Sequence, residues 1–264
     1  MKITALVENE SRCALKARHG LSLYIETQRH KLLFDVGPDG TLFHNAGKLG
    51  IDLSEIDTVI LSHGHMDHGG ALGRFLKLNA KAKVYVQRNA FEPHSYKALF
   101  LKLPVGLDRA LASHPQVTLL DGDCEIDEEL SLFTVTGPGK CRSPINDVLY
   151  GPRGRDDFSH EQNLLITQDR SALIMGCGHT GVVNIMDRVK SRPPTVCVGG
   201  FHLYDPATKK AAPAALLDEM AHALKEYGNT RFYTCHCTGQ KAFQYLARQM
   251  PNLSYLSCGE TLEI

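Results

Sequence analysis

The sequence predicts an α/β (α+β) fold, and three observations carry that reading. Short apolar or alternating segments recur along all 264 residues. Several of them run into a glycine turn and then into a helical pattern. The last quarter adds two amphipathic helices of the covering type, over 213–227 and 240–250.

Taken in order, the first third is strand-rich. Segments 2–7, 21–26 and 31–36 are apolar or alternating, and T-Q-R-H at 27–30 is a hairpin connection between the last two. A short helix is expected over 41–49, and 51–56 leads into a buried strand at 57–61. Ala71, Leu72, Phe75 and Leu76 share one helix face, and 83–87 alternates as a strand. The stretch 89–115 is less regular and carries Phe91, His94, Tyr96, Phe100 and Pro104. It reads either as an aromatic insertion shaping a pocket or as surface helices with a stray histidine. Strands resume at 117–120 and 131–135, with D-G-D turn chemistry between them.

A second insertion, within 137–160, is dense in Gly, Pro and Arg and too long for a simple connection. Lys140, Arg142, Arg153 and Arg155 make it the most basic part of the chain. Forked guanidinium donors there are expected to contact an anionic substrate, a phosphate or a carboxylate, unless they are ordinary solvated charge. Segments 163–168 and 172–176 form a hairpin, and G-C-G-H-T-G-V-V-N-I at 176–185 is a strand end, a glycine turn and a helix. A buried strand at 195–199 ends in V-G-G-F-H-L. Leu216, Leu217, Met220, Ala221 and Leu224 mark the helix after it. The last core strand, 231–235, delivers C-H-C-T-G-Q, and Ala242, Phe243, Leu246, Ala247 and Met250 form the apolar face of the final helix.

Composition excludes several classes. Lys plus Arg equals Asp plus Glu, 29 of each, and no basic block appears, so neither nucleic acid nor an anionic membrane is an expected partner. The start, M-K-I-T-A-L-V-E-N-E, turns acidic too early for a secretory signal, and no apolar run is long enough to span a membrane. Eight cysteines are scattered, several inside apolar runs where a reduced thiol packs as a small hydrophobe. A cytoplasmic, reducing setting is expected.

The chemistry concentrates in L-S-H-G-H-M-D-H-G-G at 61–70. His63 and His65 alternate in an extended segment and can point the same way, while Asp67 and His68 lie where the chain begins to turn. Two imidazoles on one side, with a carboxylate and an imidazole just beyond, suit two divalent cations completed by ligands from distant segments. Helix capping explains an aspartate here, but not three histidines with it.

This motif resembles the signature of the metallo-β-lactamase superfamily, whose fold is a four-layer αββα sandwich with metals at one edge. The resemblance implies a single domain over 1–264. It implies that Asp35, in L-L-F-D-V-G, braces the metal loop by holding a histidine's other N–H. It also implies further ligands: His179 from the second half of the sandwich, and His236 at the last strand end. Where many members have Gly-Asp, this chain has Gly176-Cys177-Gly178-His179. Either Cys177 or His179 fills the bridging role, or the second cation is held more weakly. His160, in D-D-F-S-H-E-Q-N, is the nearest counterpart of the family's third histidine motif and ranks below His179. His202, after a double glycine, is a candidate proton donor or substrate contact. Cys235 and Cys237 flank His236 at alternating positions and cannot both share its direction.

Taken together, these segments are similar to a superfamily branch described as metal-dependent hydrolases of the β-lactamase superfamily II. The branch is also labelled, through archaeal members, as joining a dihydropterin to ribofuranosylaminobenzene phosphate. The implied activity is hydrolysis of a small molecule by a metal-activated water, with Asp67 accepting its proton. Zinc is the expected cation, one or two ions, with iron or manganese as alternatives. A pterin-type transferase, releasing diphosphate, and a di-iron redox protein are the other classes the resemblance admits.

Overall fold

The computed structural model describes residues 1–98, 100–137 and 139–264. Leu99 and Pro138, which fall within the two predicted insertions, lie outside the described residues.

Two seven-stranded sheets carry the fold. The first runs in the order Thr261–Glu263, Lys2–Val7, Ser22–Glu26, Lys31–Phe34, Thr58–Ile60, Lys83–Gln87 and Val117–Leu120. The second runs Leu253–Tyr255, Arg231–Thr234, Val196–Gly199, Ala172–Ile174, Gln162–Ile166, Leu130–Thr134 and Cys124–Glu125. Each sheet is antiparallel in one part and parallel in the other. T-Q-R-H is the tight turn expected of it: Thr27 N–H donates to the His30 carbonyl at 2.9 Å, and Glu26 pairs with Lys31.

Parallel neighbours need crossover connections, and those crossovers supply the helices. Helix Thr41–Lys48 links Lys31–Phe34 to Thr58–Ile60, and Leu72–Leu78 links Thr58–Ile60 to Lys83–Gln87. Val182–Arg188, Ala214–Leu224 and Gln240–Ala247 do the same in the second sheet. Three apolar layers follow. Ile25, Phe34 and Ile60 meet Leu132, Ile174 and Val198 between the sheets. Leu42, Leu72 and Phe75 cover the outer face of the first sheet, and Ile185, Met220 and Leu246 that of the second. The result is the predicted αββα sandwich. Its parallel strands point their C-terminal ends to one rim, where open α/β sheets gather their functional loops.

The two irregular insertions turn out to be one structure. Ser95–Ala98 pairs with Leu101–Pro104 and, from the second insertion, with Leu149–Gly151, which pairs in turn with Gly154–Arg155. Strands of two to four residues with exposed lysines give little periodicity to detect. Lys102 lies 4.7 Å above the Tyr150 ring, across the small sheet.

Candidate metal centre

The motif leaves strand Thr58–Ile60 extended and turns into the short helix Met66–Gly69 at His65, whose carbonyl accepts from His68 N–H and Gly69 N–H. Two glycines are required by close approach. A Cβ on Gly64 would stand 2.4 Å from the Ala90 carbonyl oxygen, and one on Gly176 would stand 2.2 Å from Ser62 Oγ. Ends of other parallel strands bring the remaining groups: Asp35 after Lys31–Phe34, Cys177 and His179 after Ala172–Ile174, His202 after Val196–Gly199, and His236 after Arg231–Thr234.

Asp67, His68 and His236 converge. His68 Nε2 is 3.2 Å from His236 Nε2 and 3.8 Å from Asp67 Oδ2, and His236 Nε2 is 3.3 Å from the same oxygen. Ligand atoms around a tetrahedral cation with bonds near 2.0–2.2 Å stand about 3.3 Å apart. The other ring nitrogens are held. His68 Nδ1 faces Asp35 Oδ2 at 2.6 Å, and His236 Nδ1 faces Asn9 Oδ1 at 2.9 Å. Each Nδ1 therefore carries its proton, and the two Nε2 atoms are turned towards each other, 3.2 Å apart. Burial pulls the His68 pKa down, but Asp35 and Asp67 outweigh it and push it up to about 9. Burial would raise the Asp67 carboxyl, but the His68 charge and hydrogen bonds from His19 and His236 hold it well below the usual range. Positive charge is thus favoured between Asp35, Asp67 and the two rings, and a divalent metal replacing the Nε2 proton of His68 fits that place.

A second triad lies beside the first. Donor atoms of His63, His65 and His179 stand within 4.8 Å of one another. The Nε2 of each is buried and has no hydrogen-bond partner among the described residues. His63 Nδ1 meets Ser62 Oγ at 2.8 Å, and that hydroxyl donates to Asp35 Oδ2 at 2.7 Å. His179 Nδ1 meets Asn146 Oδ1 at 2.9 Å while Asn146 Nδ2 donates to the His179 carbonyl. Burial lowers the pKa of His63, His65 and His179 well below the ordinary imidazole value, so they are neutral lone-pair donors. An unsatisfied buried nitrogen costs about 1–3 kcal/mol. Three facing one point suit a cation.

Among the expected residues, Asp35 is fully buried and faces His68 Nδ1. His160 is turned aside: its Nδ1 accepts from Gly64 N–H at 2.9 Å and its Nε2 meets Asp156 Oδ2 at 3.2 Å. His202, with a φ of 49°, lies with its ring centre 4.1 Å from that of His179 at a tilt of 54°, and neither of its nitrogens has a partner among the described residues. Cys177 Sγ is 3.2 Å from His68 Nε2.

The basic residues require a correction. Lys140 Nζ lies 3.7 Å from Asp187, Arg155 lies 2.8 Å from Asp147, and Arg153 lies 3.7 Å from both Glu92 and Asp157. The Arg142 guanidinium sits 5.6 Å from the Phe158 ring centre. Acidic neighbours neutralise three of these four charges at the surface. None of the four lines the cavity over the two triads, and among the described residues no other lysine or arginine does. That cavity, about 310 Å³, is walled by apolar and aromatic groups including Tyr96, Leu103, Ile145, Val148 and Tyr204.

The sequence reading gave no role to His19, Glu8 or Asn9 and left His94 open. His19 Nε2 lies 3.3 Å from Asp67 Oδ2. Glu8, wholly buried, accepts from His236 N–H at 2.5 Å and from Tyr255 hydroxyl at 2.7 Å, and Asn9 holds His236 Nδ1. His94 is no stray: its Nδ1 meets Asp156 Oδ2 at 2.9 Å, behind His160. The polar E-N-E after a buried strand was the available signal for Glu8 and Asn9; His19 and His94 had none.

Comparison with known proteins agrees with this fold. The chain is 24% identical to the uncharacterized protein MJ0448 of Methanocaldococcus jannaschii over 270 residues, covering 99% of this chain and 100% of that one. It is 27% identical over 249 residues to the 7,8-dihydropterin-6-methyl-4-(beta-D-ribofuranosyl)-aminobenzene-5'-phosphate synthase of the same organism, covering 86% and 83% of the two. The solved structure of Tm1679, a metal-dependent hydrolase of the beta-lactamase superfamily, superposes with a TM-score of 0.83 at 26% identity, covering 100% of this chain and 99% of that one. Residues 15–159 match the family model of the metallo-beta-lactamase superfamily, which is more than half of the sequence, and the chain belongs to that superfamily.

Proposed function

We propose that this protein is a metal-dependent hydrolase acting on a small, largely apolar molecule at a dinuclear site. The observation that carries the reading is the spacing of Asp67, His68 and His236, with donor atoms 3.2–3.8 Å apart, next to three unpartnered imidazole nitrogens. His63, His65 and His179 would hold one cation, and Asp67, His68 and His236 the other, with zinc the metal best suited to imidazole and carboxylate donors. Bound there, a divalent cation would supply Lewis acidity, which makes water nucleophilic near neutral pH and polarises a carbonyl oxygen.

The chain's own groups do the rest. The Asp67 carboxylate, which would hold the cation through Oδ2, would accept with its other oxygen the proton that attacking water must lose. His202, whose ring nitrogens have no hydrogen-bond partner among the described residues, would return a proton to the leaving group. The apolar walls keep bulk water away and position the substrate by shape. A single electrophilic centre such as an ester, thioester or lactam on an apolar or aromatic body fits those walls.

Transfer of the pterin type is the second reading, supported by the 27% identity to the archaeal synthase. A diphosphate leaving group ordinarily calls for cationic side chains as well as metal. The cavity's lack of lysine and arginine among the described residues therefore favours hydrolysis. Metal content combined with a screen of esters, thioesters, lactams and phosphodiesters tests the proposal. Turnover with water alone is expected; diphosphate release dependent on an arylamine acceptor would establish transfer instead. His65→Ala should lose metal stoichiometry and turnover together, and unchanged stoichiometry would remove His65 from the ligand set.

A further inference from the structure

We propose that Cys177 and Cys237 form a thiol pair that furnishes the Asp67–His68–His236 cation position with sulfur ligands, so that it takes a borderline or soft metal in preference to a hard one. This rests on the metal reading above and extends it to residues outside the histidine and aspartate motifs. Cys177 Sγ is 3.2 Å from His68 Nε2. Cys237 sits in the turn His236–Thr238, directly after the candidate ligand histidine, and its Sγ lies 3.5 Å from the Cys177 carbonyl oxygen. The two sulfurs and a ring nitrogen of His236 stand within 4.8 Å of one another.

The local backbone is shaped for this sulfur. A Cβ on Gly200 would stand 2.4 Å from Cys237 Sγ, so the second glycine of V-G-G-F-H-L leaves it room. Its neighbours include the His236 ring and a second thiol, and both cysteines border the cavity. Cys235, two residues earlier, points the other way into the apolar layer between the sheets, where a thiol is only a small hydrophobe. The alternation in C-H-C thus separates a packing thiol from a cavity thiol. Coordination releases one proton from each thiol to solvent as a metal–sulfur bond forms, and no oxidant is involved. Thiolate ligands bias a site towards soft and borderline cations and away from manganese.

The test uses the full chain, stripped of metal under reducing conditions and reloaded with cobalt(II). Bound cobalt should show a near-ultraviolet thiolate-to-metal absorption band, reduced to about half in Cys237→Ser and lost in the Cys177→Ser, Cys237→Ser double variant. In a cadmium and manganese mixture, elemental analysis should show the preference for cadmium falling about tenfold or more in the double variant. Cobalt bound without that band, or a band unchanged by Cys237→Ser, would overturn the sulfur assignment and leave the metal reading standing. No cobalt bound at all would overturn both. If the serine variants fail to fold, the wild-type spectrum alone decides.

Discussion

Asp35 accepts from Ser62 N–H and Ser62 Oγ, each at 2.7 Å, and faces His68 Nδ1 at 2.6 Å. Because the Ser62 hydroxyl spends its proton on Asp35, it must accept from His63 Nδ1. One carboxylate therefore orients two histidines, one in each triad, by holding both Nδ1 protons and turning both Nε2 atoms inward. Asp35 also has a φ of 61°, a conformation that asparagine tolerates and alanine does not. Asp35→Asn thus isolates charge from strain. It should weaken metal binding by about 10–100-fold, read by competition with a chromophoric chelator. Equal affinity in the variant would show that Asp35 is a turn residue and nothing more.

At the level of elements, the loops that bear candidate ligands are gripped by buried carboxylates reaching across from other segments. Glu161, fully buried, accepts from His179 N–H at 2.7 Å with one oxygen and from Thr180 N–H and Oγ1 with the other. Glu161→Ala would strand three donors at about 1–3 kcal/mol each, partly relieved by water. A loss of about 3 kcal/mol, roughly 6–12 °C in Tm, is expected by calorimetry of the metal-free protein. A shift under 2 °C, on the order of 0.5–1 kcal/mol, would mean that the loop holds its own shape. Strands and helices were legible because buried parallel strands read as continuous apolar runs and covering helices as 3.6-residue stripes. The candidate ligands His63, His65, Asp67 and His68 were legible as a group because they lie within six residues of one another. Glu161 and Glu8 were not, because their partners lie 18 and 228 residues away, and spacing carries no trace of such contacts. The arginines of the second insertion misled for the same reason: Arg153 reaches Glu92 in the other insertion, a contact visible only after folding.

Across the whole molecule, the rim opposite the histidines is closed by a different kind of contact. His30 ends the turn before Lys31–Phe34, and its Nδ1 meets Asp57 at 2.9 Å, at the entrance to Thr58–Ile60. Its Nε2 meets Asp127 at 2.6 Å, in the turn before Leu130–Thr134 of the other sheet, so one ring bridges the two halves of the sandwich. Burial lowers its pKa, but the hydrogen bonds and charges of Asp57 and Asp127 outweigh that and raise it above the ordinary imidazole value. A pKa raised on folding stabilises fully below the unfolded value, near 6.5, and the contribution disappears as pH rises through the folded value. His30→Ala should therefore lower stability by about 1–2 kcal/mol at pH 6, less at each higher pH, and least once the native imidazole has lost its proton. Denaturant midpoints of the two proteins, measured side by side from pH 6 upwards, check this, because the difference between them cancels the pH dependence of the metal ligands. Two curves that stay parallel would mean that His30 holds the sheets together as a neutral ring.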